Sequence, residues 1–250
     1  MTYLQLDLMC LRARKLLALA TDFFYLRAFL RGGVAPAIEH RAVLQGLPLD
    51  FVVDVGANRG QFSLMCRRLK PLARIVAFEP LAEPAQIYQA VFEDDAGVRL
   101  HRCALGTKRG EMAMHVSARD DASSLLAISK VQTDNFPGTG AVELRMVPIA
   151  PMPDFIPPSD MGLRNLLKID VQGFELEVLK SAGPLLPWFR WVYVECSYVP
   201  LYEGQALADQ VAAYLQEQGF RLSGRFNASY SRLDGAVLQA DLLFESATGA

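Results

Sequence analysis

The chain has 250 residues with a formal net charge of -2, and 52% of them are hydrophobic against 21% charged. That length and apolar content supply the core of one large α/β domain and exclude wholesale disorder. The slight acidic balance argues against a generic nucleic-acid binder, which carries a basic excess.

The first segment, "RARKLLALATDFFYLRAFLRGG", sets basic residues before apolar ones. Its apolar run between Lys15 and Thr21 is too short for a secretion signal, and Asp22 and Arg27 interrupt the next apolar stretch. No stretch reaches the ~20 uncharged residues that span a bilayer. The spacing predicts one or two amphipathic helices over residues 4–31, stopped by Gly32-Gly33. Residues 1–48 are therefore read as a helical extension that packs on the domain or on a partner subunit. Docking on a membrane surface through Arg12, Arg14 and Lys15 is the alternative. The four cysteines (Cys10, Cys66, Cys103, Cys196) form no C-x-x-C pair. They read as small buried hydrophobes in a reducing cytoplasm, and a cysteine-built zinc site is not expected.

From residue 49 to 250 a second unit alternates strand and helix. "FVVDV" and "RIVAFEP" are β-rich runs ending near an acid, with the helix "QFSLMCRRL" between them. "AEPAQIYQAVFEDD" is the next helix and "VRLHRCALG" a third strand. "NLLKIDVQG" is a strand leading into the helix "FELEVLKSAG"; "WVYVEC" is a strand leading into "LADQVAAYLQEQG". "FRLSGRF" and "AVLQADLLFES" come last, without a helix between them. This order predicts a doubly wound, mostly parallel sheet with an antiparallel pair at the C-terminus, and a ligand at the carboxyl ends of the strands. Residues 105–164 break the alternation and read as a hairpin and loop inserted over the site.

Four acids stand at predicted strand ends: Asp54, Glu79, Asp170 and Glu195. Desolvating a carboxylate costs several kcal/mol unless something pairs with it, so such a row predicts a ligand with cationic or hydroxyl groups. The turn "DVGANRG" lacks the spacing of G-x-G-x-x-G, and Asp54 would repel a pyrophosphate. S-adenosylmethionine has no phosphate; it brings an ammonium, a sulfonium and a ribose diol. Glu79 lies about 25 residues past the turn, where an acid holds ribose hydroxyls in related folds. A nicotinamide-dependent oxidoreductase and a non-catalytic adenosyl-binding scaffold remain as alternatives.

"VVDVGANRGQFS", "VAFEP", "CALG", "SSLL" and above all "LLKIDVQGFELEVLKSAG" resemble the FkbM family of S-adenosylmethionine-dependent methyltransferases over about residues 50–245. The resemblance implies a class I methyltransferase (Rossmann-like) fold and O-methylation of a hydroxyl on a sugar, glycan or secondary metabolite. The expected cofactor set is Asp54, Gly56, Asn58, Gly60, Gln61, Phe62, Glu79, Pro80, Ala104, Ser123, Ser124 and Asp170. Two departures stand out: Gln172 where the family commonly has Glu, and Pro151-Met152-Pro153 where it commonly has Thr-Leu-Asp.

Methyl transfer from a sulfonium requires alignment of donor and acceptor and removal of the hydroxyl proton. In "LLKIDVQG" the period of two puts Lys168 and Asp170 on one face. Asp170 is expected to accept the proton or orient the hydroxyl, and Lys168 to stabilise the developing alkoxide or hold Asp170 ionised. Glu195 and His115 are the further catalytic candidates, and His101 reads as a packed histidine. No His/Cys/Asp cluster has metal-ligand spacing, so no metal is expected.

Overall fold

The computed structural model describes residues 3–231 and 234–247. The chain opens with α1 (Tyr3–Thr21) and α2 (Phe23–Gly32). Asp22 separates them by accepting from the Phe24 N–H at 3.0 Å, and Gly33 closes α2 with a left-handed φ of 66°. A 3₁₀ turn (Ile38–His40) and α3 (Arg41–Gly46) bring the chain to the sheet. Next are β1 (Phe51–Val55), α4 (Gln61–Leu69), β2 (Arg74–Phe78), α5 (Ala82–Val91) and β3 (Val98–His101). After β4 (Ala104–Leu105) come β5 (Gly110–Ser117), α6 (Lys130–Asn135) and β6 (Ala141–Ala150). The last part holds β7 (Asn165–Ile169), α7 (Glu175–Ala182), β8 (Trp191–Ser197), α8 (Ala208–Glu217), β9 (Phe220–Tyr230) and β10 (Val237–Ser246).

Seven strands form one sheet in the order β3-β2-β1-β7-β8-β10-β9, parallel through β8 and antiparallel for β10 against β8 and β9. This is the class I methyltransferase topology that the resemblance implies. One expected element differs. "VRLHRCALG" is not one strand: β3 pairs with β2, whereas β4 crosses to a second, three-stranded sheet in the order β4-β6-β5.

Alternation along the strands sends successive side chains to opposite faces. Val53, Val55, Leu167, Ile169, Val192 and Val194 share one buried apolar cluster with α7 and α8. Val52, Leu166, Trp191 and Tyr193 face the other cluster, which also takes Tyr25, Val34, Ile38 and Leu44 from the N-terminal segment. The N-terminal helices thus cover one face of the sheet. Asp54, Lys168 and Tyr193 are partners in adjacent registers of β1, β7 and β8, so a polar row runs beneath that cover. Lys15 pairs with Glu39 at 3.1 Å, while Leu16, Leu17, Phe23 and Leu30 stay exposed. Among the described residues no helix is long and apolar enough to cross a membrane. Cys66, Cys103 and Cys196 are buried as expected, but Cys10 is exposed.

Candidate active site

A cavity of about 290 Å³ opens at the carboxyl ends of β1, β2 and β7. Gly56, Asn58, Gln61, Phe62, Glu79, Pro80, Ala104, Ser123, Lys168 and Asp170 from the expected set line it. Met114 and Leu125, from the segment after β4, supply apolar wall opposite them.

The turn after β1 is shaped by what lies beneath it. Gly56 has a φ of 74°, and a Cβ there would stand 1.8 Å from the Asp170 carbonyl oxygen. Only glycine lets the β1 turn and the β7 turn approach so closely. Asn58 also adopts a positive φ, 48°, and its backbone N–H donates to Glu79 Oε2 at 3.0 Å. Glu79 Oε1 accepts from the Leu81 N–H at 2.8 Å. Burial pushes the Glu79 carboxyl up to about 7, although those two N–H groups pull it down. A buried carboxylate in a cavity wall, held by two backbone donors, has lone pairs left for two adjacent hydroxyls. That observation fits a ribose diol, and the Gly56–Asn58 segment, which lines the cavity, fits close approach of the rest of such a donor.

Several expected site residues stand elsewhere. Asp54 does not line the cavity: it is the fourth residue of β1, fully buried, on the face covered by α4. Its carboxylate pairs with Lys168 Nζ at 3.0 Å and accepts from Ser63 Oγ at 2.7 Å, and Ser63 in turn accepts from Tyr88 Oη at 2.9 Å. Strand alternation turned it inward, and a lysine compensates it. Lys168 is accordingly committed, donating to the carbonyls of Gly56 at 3.2 Å and Val55 at 3.4 Å, with Asp170 farther away at 4.0 Å. Burial pulls its ammonium down and the carboxylates of Asp54 and Asp170 push it up, with a net rise. Its surroundings suit tying β1 to β7 better than stabilising an alkoxide.

Gly60 starts α4 beneath the cavity wall, where a Cβ would press on the Phe92 and Tyr88 rings at 2.8 and 3.0 Å. Ser124 is buried and donates to the Gln172 carbonyl at 2.6 Å; Ser123 alone of the pair reaches the cavity. His115 lies outside the lining, its backbone bridged to Ser124 at the outer edge of β5. His101 packs between the Phe78 and Phe155 rings, where burial lowers its basicity.

Glu195 also stands behind the cavity wall, linked to it through Gln172. The Gln172 amide nitrogen donates to Asp170 Oδ1 at 2.7 Å and Glu195 Oε2 at 2.9 Å, and its oxygen accepts from Tyr202 Oη at 2.7 Å. Burial, with the charges of Asp170 and Asp241 next, raises the Glu195 carboxyl well above the ordinary range. An amide at position 172 lets two carboxylates share one donor, which a third carboxylate could not supply. Glu175 sits underneath: its Oε1 accepts from the Gly173 N–H at 2.8 Å, and burial pushes it up to about 7.

Of the cavity residues that escaped the sequence reading, which include Glu39, His40 stands out. His40 enters from the 3₁₀ turn and lines the cavity beside Phe62. Its Nδ1 lies 2.9 Å from Tyr193 Oη and 3.4 Å from Asp241 Oδ2. The available signal was an acid, Asp241, in the middle of the apolar run "AVLQADLLFES". Among the described residues no group of three or more His, Cys, Asp or Glu is placed to hold a metal.

The model of the "Methyltransferase FkbM domain" matches residues 54–222. The curated "Methyltransferase sdnD" of Sordaria araneosa is 28% identical over 209 residues, covering 74% of this chain and 79% of that protein. The "2-O-methyltransferase NoeI" of Sinorhizobium fredii is 28% identical over 196 residues, covering 72% and 79%. A solved precorrin-6y C5,15-methyltransferase of Geobacter metallireducens is 12% identical, with a TM-score of 0.43 and coverage of 82% and 84%.

Proposed function

Because this chain belongs to the FkbM methyltransferase family, with S-adenosylmethionine as methyl donor, we propose that it methylates a hydroxyl oxygen of a sugar, glycan or secondary metabolite. One observation carries the reading. The cavity wall presents hydrogen-bonding groups with capacity to spare: Glu39, whose Oε2 is buried without a partner, His40 and Asp170. Groups of that kind, left unpaired, penalise an apolar acceptor and suit one bearing hydroxyls. The relative named as a 2-O-methyltransferase supports the same choice.

When bound, the donor supplies a methyl group on a sulfonium, ready for in-line displacement. The residues of this chain do the rest. Glu79 takes the ribose hydroxyls, and the Gly56–Asn58 backbone, braced by Lys168, borders the amino-acid end. Asp170, held by Gln172, accepts a hydrogen bond from the arriving hydroxyl and orients it.

The test uses methyl-labelled S-adenosylmethionine with a panel of methyl glycosides, amino sugars and uronic acids. The expected product carries the label on a neutral glycoside and keeps it through mild alkali, as an ether does. Label released as methanol would mean a carboxyl ester, and transfer confined to the amino sugars an amine acceptor; either result contradicts the hydroxyl reading.

A further inference from the structure

We propose that His40 is the general base of the transfer, with Tyr193 and Asp241 as the groups that fix its tautomer and stabilise its charged form. The proposal rests on the hydroxyl reading above and names the atom that takes the proton.

Three distant strands converge on this imidazole. His40 comes from the 3₁₀ turn, Tyr193 from β8, Asn227 from β9 and Asp241 from β10. Tyr193 Oη donates to Asp241 Oδ2 at 2.9 Å, and Asn227 Nδ2 donates to the same oxygen at 2.7 Å. Burial, with the adjacent Asp241 charge, raises the Tyr193 phenol far above its ordinary value, so it keeps its proton. A phenol has one proton to give, and Asp241 receives it. The second hydrogen of the Asn227 amide has two acceptors within reach, His40 Nδ1 and the phenolic oxygen, each 3.3 Å away. The phenolic oxygen is the nearer neighbour of Nδ1, at 2.9 Å, and with the imidazole proton on Nδ1 and the amide hydrogen on the phenolic oxygen every contact of the cluster has a donor and an acceptor. Nε2 is left with its lone pair. The ring is fixed edge-on against Phe62 and Tyr193, at centroid distances of 5.3 and 5.6 Å. Among the described residues Nε2 has no hydrogen-bond partner, and the residue lines the cavity.

The position suits the chemistry. Glu79 comes directly after β2, on one side of β1. Tyr193 and Asp241 belong to β8 and β10, on the other side of β1 beyond β7. A donor whose ribose lies on Glu79 therefore has His40 at the opposite end of the cavity, where an acceptor enters. In the step, the acceptor O–H bond gives its proton to Nε2 as the oxygen bonds to the methyl carbon. The carbon–sulfur bond breaks with its electron pair going to sulfur, which leaves a neutral thioether. The resulting imidazolium faces the Asp241 carboxylate 3.4 Å away. A base oriented through its other nitrogen by a buried acid is the logic of the hydrolase triads.

Other charged groups around the imidazole are Lys15 and Glu39, paired at 3.1 Å by the cavity, and Lys168, 5.5 Å from the centre of the Phe62 ring. The first readout does not depend on turnover. Nitrogen-15 spectra of histidine-labelled protein, with the His40 signals assigned by His40→Gln, report which ring nitrogen carries the proton. The expected neutral form is Nδ1–H; Nε2–H in the wild-type protein would overturn the proposal. Asp241→Asn should reduce the preference for Nδ1–H. Unchanged spectra in that variant would overturn the positioning role.

The second readout uses the neutral methyl glycosides as acceptors. His40→Gln keeps a polar group facing Tyr193 and removes the base. It should lose about 10²–10⁴-fold in kcat, as general-base removal does, with S-adenosylhomocysteine affinity within about twofold. That affinity also shows that the variant is folded. Turnover within about threefold of wild type would overturn the proposal. If the wild-type protein methylates only amines or carboxylates, the hydroxyl reading fails by itself, while the tautomer measurement still decides the state of His40.

Discussion

Glu79 shows how a side chain's surroundings set its ligand chemistry. Its carboxyl is buried and pushed up to about 7, compared with 4.5 in water, because two backbone N–H groups only partly repay the lost hydration. By linkage, a carboxyl whose folded pKa is raised stabilises the free protein below about 4.5, and that contribution is lost as pH rises through about 7. Ribose hydroxyls donate to the ionised form, so donor binding should strengthen over the same interval. Calorimetric titration with S-adenosylhomocysteine should tighten by about tenfold between roughly pH 6 and 8, and Glu79→Gln should be weaker and nearly flat. A flat wild-type profile would remove Glu79 from the ribose. Glu79 was legible in the sequence because it comes after a β-run at the interval where such acids hold riboses. His40 was not: its partners Tyr193 and Asn227 are 153 and 187 residues away, and nothing local marks it.

At the scale of elements, the Asp54–Lys168 pair ties β1 to β7 directly under the cavity floor. Strand spacing put Lys168 and Asp170 on one face, and the structure agrees. Spacing along one strand could not reveal that the register of the neighbouring strand sets Asp54 beside Lys168. Nor could it show that the run through His101 and Ala104 changes sheets, since leaving one sheet for another needs no change in composition. The ion pair makes a separable prediction. Lys168→Met leaves Asp54 buried and uncompensated, and should cost about 3–5 kcal/mol of stability in denaturant melts. The double variant Asp54→Leu with Lys168→Met should recover most of that loss, because an apolar pair of similar volume avoids both desolvation costs. Wild-type stability in Lys168→Met would mean that the pair bears no structural burden.

For the whole molecule, the order of strands divides the labour. In the proposed function β2 and the turn after β1 take the adenosyl group, and the small sheet and the Ser123 turn line the same cavity. The same proposal gives the acceptor to the side of β7, β8, β10 and the N-terminal segment, which brings Lys15, Glu39 and His40 to the cavity. The alternating strands and helices and the antiparallel end were readable from periodicity. The polar row beneath the N-terminal cover was not, because it exists only once three strands are in register. The most direct measurement is a crystal structure of the complex with S-adenosylhomocysteine. Both ribose hydroxyls are expected within about 2.6–3.2 Å of the Glu79 carboxylate, with the sulfur turned toward Asp170 and His40. A ligand whose ribose avoids Glu79, or whose sulfur faces away from the β7–β8 side, would contradict the proposed function.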